Sequence, residues 1–128
     1  MAVTKTILAN THFETVVLLQ GSGTGTIDLQ TDCKLANETL QATQTVNINE
    51  IGLAGLQASL TITRNSEQIF KLWADGQFTK YDIYSNNPPL KRQNTYDIDY
   101  NMPVESTAII KLSKVGGYDG PPGVNPDL

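Results

Sequence analysis

The sequence predicts an all-β protein: an antiparallel, jelly-roll-like sandwich of about eight short strands with extended N- and C-terminal arms. Apolar and polar residues alternate along most of the chain, which is the period-two pattern of half-buried strands. Turn-forming pairs, Asn65-Ser66 and Asp75-Gly76, separate several of these runs. The low charged fraction of 17%, together with many threonines, also favours a β-rich protein over a disordered chain.

The first part of the chain predicts two strands joined by a glycine-rich turn. Residues 14–20, ETVVLLQ, form a β-branched run, and residues 24–29, TGTIDL, alternate weakly as a returning strand. Between them, residues 21–25, GSGTG, offer the positive φ that tight reversals need. A helix of one or two turns is predicted only at residues 32–42, where Asp32 can cap it.

The central part predicts a run of hairpins. Residues 44–51, QTVNINEI, and residues 58–64, ASLTITR, alternate cleanly between apolar and polar side chains. Residues 67–73, EQIFKLW, and residues 77–84, QFTKYDIY, continue the alternation after the two turn-forming pairs. This order indicates a meander of consecutive antiparallel strands.

The last part predicts two more strands. Residues 86–89, NNPP, form a loop because proline cannot donate a hydrogen bond to a strand ladder. Residues 95–100, TYDIDY, alternate until Met102-Pro103 interrupts them, and residues 107–113, TAIIKLS, form the final strand.

The termini divide the chain into a domain and two arms. Residues 1–12 are predicted to be an N-terminal arm, residues 13–115 the β-sandwich domain, and residues 116–128 an extended C-terminal tail rich in glycine and proline. Such arms often become ordered against a neighbouring subunit. The residues expected to bind a partner are the apolar and aromatic ones of the two arms: Ile7, Leu8, Tyr118, Val124 and Leu128.

Length and charge exclude several classes of protein. A chain of 128 residues suits one domain, and its net charge of −4 with no basic cluster beyond Lys91-Arg92 argues against a nucleic-acid or anionic-membrane partner. No stretch approaches the roughly 20 apolar residues of a membrane span. The N-terminus is too short and polar for a signal peptide, so the chain is expected to be made in the cytoplasm.

The glycine-rich stretch does not match a phosphate-binding loop. The position of the third glycine of a dinucleotide motif holds Thr26, and the Gly-Lys ending of a P-loop is missing. A strand follows the glycines, whereas both motifs need a helix N-terminus. The preferred interpretation is a turn.

The run Asp97-Ile98-Asp99-Tyr100-Asn101 resembles the start of a calcium loop but lacks its glycine and its distal glutamate, since Met102 and Ala108 stand there. An EF-hand is therefore excluded, and a cation held by Asp97 and Asp99 is the minor alternative. The favoured interpretation is a solvated acidic face opposite a buried one formed by Tyr96, Ile98 and Tyr100.

Other catalytic signals are weak. His12 is the single histidine and is expected at the surface, so neither a histidine metal cluster nor a Ser-His-Asp set is predicted. Cys33 is the single cysteine, which excludes an intrachain disulfide, and it is expected to be a small packing residue. The five glutamates are scattered, with no close pair for glycoside hydrolysis. The expectation is a protein without enzymatic activity and without a metal or cofactor.

Trp73 raises one alternative. With Phe70, Tyr81 and Tyr84 it can line a sugar-binding face, or it can form ordinary cross-strand pairs in the core. Core packing is the preferred interpretation.

Several phrases of the chain resemble a known group of proteins. They are MAVTKTILANTH, VVLLQGSGTGTIDLQTD, TQTVNINEIG, ASLTITRNSEQIFKLWADGQ and AIIKLSKVGGY, spread over residues 1–118. They resemble small virion structural proteins of tailed phages, especially phages that infect marine bacteria and cyanobacteria. Some members of that group decorate or cement capsids.

The resemblance implies a capsid decoration or cement protein on the virion surface, made in the host cytoplasm. Its implied partners are the major capsid protein and further copies of itself, as a trimer or at contacts between capsomers, with no nucleic acid and no membrane. It implies no enzymatic residues. A neck, tail or fibre component of the virion is the first alternative, and a carbohydrate-binding β-sandwich module is the second.

Overall fold

The structure of the protein is a computed structural model that describes residues 2–82 and 92–119. Within these ranges there are seven antiparallel strands and no helix. The predicted all-β antiparallel fold is confirmed, with seven strands instead of about eight. The strands are β1 Thr4–Asn10, β2 Glu14–Ile27, β3 Thr39–Ala54, β4 Ala58–Arg64, β5 Glu67–Ala74, β6 Thr79–Asp82 and β7 Ile98–Asp119.

The long strands β2 and β7 form the central pair of the sheet. They are paired from Glu14 opposite Ser113 to Ile27 opposite Ile98. The register shifts between Gly21 and Gly23, where three residues of β7, 103–105, stand opposite the single residue Ser22 of β2. Bulges of this kind bend strands and increase their twist, so the pair turns a corner here.

The corner divides the sheet into two branches. On its other edge, β7 pairs with β4 through residues 99–101 and with β3 through residues 107–119. The first branch has the strand order β1-β2-β7-β3-β6, and the second adds β5 outside β4. The curled sheet encloses one hydrophobic core to which both branches contribute, with Val17, Leu19, Ile48, Ile51, Leu60, Ile62, Ile110 and Leu112 among the fully buried side chains.

Several strand predictions need correction. Residues 21–25 do not turn the chain around, because β2 continues through them and keeps β7 as its partner. The two glycines with positive φ, Gly21 and Gly23, serve the bulge instead. The predicted strands 95–100 and 107–113 are not separate elements: residues 98–100 and 107–113 all belong to β7, and residues 95–97 lie before its start.

The predicted meander is half right. The hairpin of β4 and β5 is confirmed, and its turn residues Asn65 and Ser66 have φ of 52° and 61°. β6, however, pairs with Glu50–Leu53 of β3 and not with β5. The predicted helix at residues 32–42 is absent; the segment forms turns and then enters β3.

Both predicted arm boundaries also differ from the structure. Residues 4–10 of the N-terminal arm form β1, which Lys5 ties down through an ion pair of 2.5 Å with Asp32. Residues 116–119 of the predicted tail belong to β7. Gly117 has φ +88° and lets the strand pass close to the backbone of Thr43, so a glycine that suggested a loose tail permits a close approach.

Candidate binding surfaces

The first candidate surface is the N-terminal edge, defined as β1 and the turn 11–13. Within the described ranges β1 has a single neighbour, β2, so its other side offers backbone N–H and C=O groups. The register shift between Ile7 and Ala9 isolates Leu8 as a bulged residue whose side chain is 51% exposed. Phe13 is 58% exposed at the end of this edge. The edge therefore combines free backbone groups with exposed apolar side chains.

A buried polar network supports this edge from inside. The Lys114 ammonium donates hydrogen bonds to the Glu38 carboxylate at 2.7 Å and to the Thr11 carbonyl at 2.9 Å. Glu38 also accepts from the Leu35 N–H at 2.7 Å and lies 2.7 Å from Nδ1 of His12. These contacts hold the turn 11–13 against β7.

The network explains the electrostatics of Glu38. Burial alone would raise the pKa of its carboxyl, but the hydrogen bonds from Leu35, Lys114 and His12 outweigh burial and leave the pKa lowered. The surface position expected for His12 is wrong, since its side chain is only 11% exposed and its Nε2 is buried without a hydrogen-bond partner in the described structure.

Cys33 and Tyr118 lie beside this network in the core. Burial raises the pKa of the Cys33 thiol to about 11, which keeps it protonated and unreactive at neutral pH, and its predicted packing role is confirmed. The pKa of the Tyr118 hydroxyl is also raised, and burial is the largest cause. Its hydroxyl donates to the Leu29 carbonyl at 2.5 Å.

The predicted partner-binding residues therefore have different environments. Leu8 is exposed, Ile7 is half-buried and packs against the core, and Tyr118 is fully buried inside its own chain. Tyr118 is thus corrected from a contact residue to a core residue. Val124 and Leu128 lie outside the described residues.

The second candidate surface is the outer face of the β4–β5 hairpin. Trp73 is 64% exposed, so the preferred core interpretation is wrong for this residue. Trp73 stands opposite Ser59 in the register, and Lys71 stands opposite Thr61. The Lys71 ammonium lies 5.3 Å from the centroid of the Trp73 ring. Phe70 packs against the core, whereas Tyr84 and the side chain of Tyr81 lie outside the described residues.

A cavity of about 530 Å³ lies next to Trp73. The Asp75 carboxylate on its wall accepts a hydrogen bond from the Gln57 N–H at 3.1 Å, which fixes the loop between β5 and β6 against the β3–β4 turn. The lining residues are Gln57, Ala58, Ser59, Trp73, Ala74, Asp75 and Thr79.

The two aspartates of the calcium-like run serve separate structural roles. Asp97 accepts a hydrogen bond from the Leu29 N–H at 2.9 Å, and Asp99 accepts one from the Thr26 hydroxyl at 2.7 Å. The described ranges contain no group of three or more His, Cys, Asp or Glu side chains able to hold a metal. On the opposite face Ile98 and Tyr100 are buried as expected, but Tyr96 is 46% exposed.

Sequence reasoning missed the exposure of Trp73, although one signal was present. Trp73 and Lys71 are two residues apart, and side chains at that spacing share a face of a strand. A lysine on that face indicates solvent. The exposure of Phe13, the last residue of the turn 11–13, had no comparable signal.

Comparisons with known proteins add little. No protein-family model matches the chain, and no curated protein matches it. Among solved structures the chain is similar to the crystal structure of a cupin superfamily protein from Desulfitobacterium hafniense DCB-2. The identity is 10%, the TM-score is 0.35, and the match covers 88% of this chain and 77% of that one. A likeness at this level carries no argument about fold or function. The described ranges contain no long apolar helix that would cross a bilayer.

Proposed function

We propose that this protein is a non-enzymatic virion structural protein of the capsid decoration or cement type, which binds the major capsid protein and further copies of itself. The observation that carries the proposal is the N-terminal edge. An edge strand next to exposed Leu8 and Phe13 suits a docking contact, because a partner strand can complete the ladder while the apolar side chains are buried. The resemblance of the sequence to phage virion proteins supplies the identity of the partner.

Loose termini no longer support this proposal, because residues 4–10 and 116–119 pair within their own sheet. The docking element is instead a strand that is already ordered, so binding costs little conformational entropy. Many copies on a symmetric lattice add avidity, and binding to the assembled state alone stabilises that state.

The test is binding of purified protein to expanded capsids that lack accessory proteins, taken from the phage that encodes the chain. We expect saturation at a stoichiometry set by the symmetry of the lattice. Absence of binding would contradict the proposal.

The variants Leu8→Asp and Phe13→Ser test the surface itself. Each should weaken capsid binding by roughly tenfold or more, the typical effect of losing a central apolar contact. The free energy of unfolding should change little, because both side chains are more than half exposed. Leu56→Ser is the matched control: Leu56 is 76% exposed in the turn between β3 and β4, outside the N-terminal edge, and its loss should leave capsid binding unchanged.

The alternative is a neck, tail or fibre component of the virion, which would bind its partner through the same N-terminal edge. Copy number measured by mass spectrometry of purified particles separates the two. A decoration protein should be present in a number comparable to that of the capsid subunits, and a neck or tail component in far fewer copies.

A further inference from the structure

We propose that the outer face of the β4–β5 hairpin is a binding site for a neutral oligosaccharide, with the indole of Trp73 as its stacking platform. This inference does not depend on the virion role, since the site lies outside the N-terminal edge.

The register of the hairpin arranges the platform. Trp73 lies on β5 opposite Ser59 on β4. Both side chains point away from the core, because their neighbours along the strands, Leu60, Leu72 and Ala74, are buried on the opposite face. Lys71, two residues before Trp73, places its ammonium 5.3 Å from the ring centroid. A cation at this distance from an aromatic ring is attracted to it, so Lys71 restricts the orientation of the indole.

Hydrogen-bonding groups surround the platform on the cavity wall. Ser59 and Thr79 contribute hydroxyl groups, and Gln57 contributes a side-chain amide. The Asp75 carboxylate is oriented by the Gln57 N–H and still has acceptor positions on its two oxygens. An apolar ring beside a few polar residues is the usual composition of a small-ligand site, and about 530 Å³ falls within the usual size range.

This combination fits a sugar ring. A pyranose presents C–H groups on one face, which stack on an aromatic ring, and hydroxyl groups around its rim, which pair with hydroxyls, amides and carboxylates. Asp75 on the cavity wall and the Lys71 ammonium beside the ring carry opposite charges, and the whole chain carries a net charge of −4, so the overall charge disfavours an anionic saccharide.

The experiment uses the fluorescence of the full-length protein. Trp73 is the single tryptophan of the chain, so tryptophan emission reports on this site alone. Cellohexaose, maltohexaose, laminarihexaose and xylohexaose are titrated separately. We expect a saturable change in emission with at least one of them, and weaker binding of an oligogalacturonate of similar length.

Variants connect the signal to the geometry. By calorimetry, Trp73→Ala should lower affinity for the active saccharide by more than tenfold. Ser59→Ala and Asp75→Asn, measured by fluorescence, should each lower it severalfold. Tyr96→Ala removes an exposed aromatic ring that belongs to neither candidate surface and should leave saccharide affinity unchanged. Unchanged urea midpoints for the three site variants would show that they remain folded.

Three results would overturn the proposal. The first is the absence of any saturable emission change with all four neutral hexasaccharides. The second is tighter binding of the oligogalacturonate than of every neutral sugar. The third is a wild-type protein that binds none of the sugars together with a Trp73→Ala variant that no longer binds capsids. That result would show that the outer face of the hairpin contacts a protein.

Discussion

Arg64 is the largest fully buried side chain in the described part of the chain, and it carries a positive charge. Its guanidinium donates to the Val46 carbonyl at 2.8 Å and to the Asn94 carbonyl at 3.0 Å. It donates twice to the Tyr96 carbonyl, at 2.9 and 2.6 Å. Burial lowers the pKa of Arg64 to about 10, so the group stays charged at neutral pH. One side chain thus ties β4, β3 and the segment before β7 together.

Replacing this guanidinium should be costly. Arg64→Met should lower the free energy of unfolding by about 3 kcal/mol, because buried carbonyl groups lose their donors. Lys111→Met is the control: Lys111 is 45% exposed and lies 3.7 Å from Glu50, and its loss should cost at most about 1 kcal/mol. Urea unfolding measures both. Equal stability of Arg64→Met and the wild type would contradict the anchoring role.

Glu38 gives the fold a dependence on pH. Its pKa is lowered in the folded protein from an ordinary value of 4.5, so its contribution to stability is present above that value and is lost as the pH falls through the folded pKa. Glu38→Gln should therefore be less stable than the wild type at pH 7, and its stability should fall less between pH 5 and 3. Leu56→Ser, which changes no titrating group, should keep the wild-type acid dependence. If the free energy of unfolding fell by the same amount between pH 5 and pH 3 in Glu38→Gln and in the wild type, this role of Glu38 would be excluded.

At the level of elements, the bend between β2 and β7 depends on two glycines of different kinds. Gly21 has φ +121°, and a Cβ there would collide with the Ala2 carbonyl. Gly23 has φ +129°, but a Cβ there would meet nothing closer than 4.0 Å. Position 21 therefore requires glycine both for its positive φ and for lack of space, whereas position 23 requires it for the positive φ alone.

The pair of alanine variants separates the two requirements. Gly23→Ala should cost about 1 to 2 kcal/mol from backbone strain alone. Gly21→Ala should cost at least about 1 kcal/mol more, because the backbone of Ala2, just before β1, must also move away from β2. Thermal or urea unfolding measures the difference. A Gly23→Ala variant as unstable as Gly21→Ala would show that the clash with Ala2 is unimportant.

How far the sequence predicts an element depends on whether the deciding contacts are local. The β4–β5 hairpin was predictable because alternation and the Asn65-Ser66 turn both lie within it. The bend at Gly21 was not, since glycines suit a hairpin turn and a bulge equally, and the choice is made by β7, about 80 residues further along the chain. The sequence also did not reveal which side chains of β5 face the core. Ile69 is an extra residue in the register opposite β4, and it shifts the alternation of the strand.

The candidate site follows the same rule. Leu8 was identified from its sequence, but the pairing of its strand with β2 was not, because β1 has one half-buried face and therefore a weak apolar pattern. Tyr118 was placed in a loose tail because of the neighbouring glycines. Its burial depends on a hydrogen bond to the carbonyl of Leu29, which is 89 residues away in the sequence.

At the level of the whole molecule, the described part of the sheet curls around one hydrophobic core. The end of β7 is fastened to the turn after β2 by the Tyr118 hydroxyl, while β1, β5 and β6 each have one strand neighbour in the described structure. Of these, β1 has an exposed bulge and lies beside an exposed phenylalanine. The described part of the molecule is therefore an ordered module with an exposed edge strand, which is what the proposed attachment to a repeating surface requires.

The proposed virion role is tested most directly by electron cryo-microscopy of the phage particle that is expected to carry this protein. We predict density for this fold at symmetry-related positions on the outer capsid lattice, with β1 and Phe13 facing the major capsid protein. Particles whose lattice lacks this density, or whose copies of the protein turn β1 toward solvent, would contradict the account.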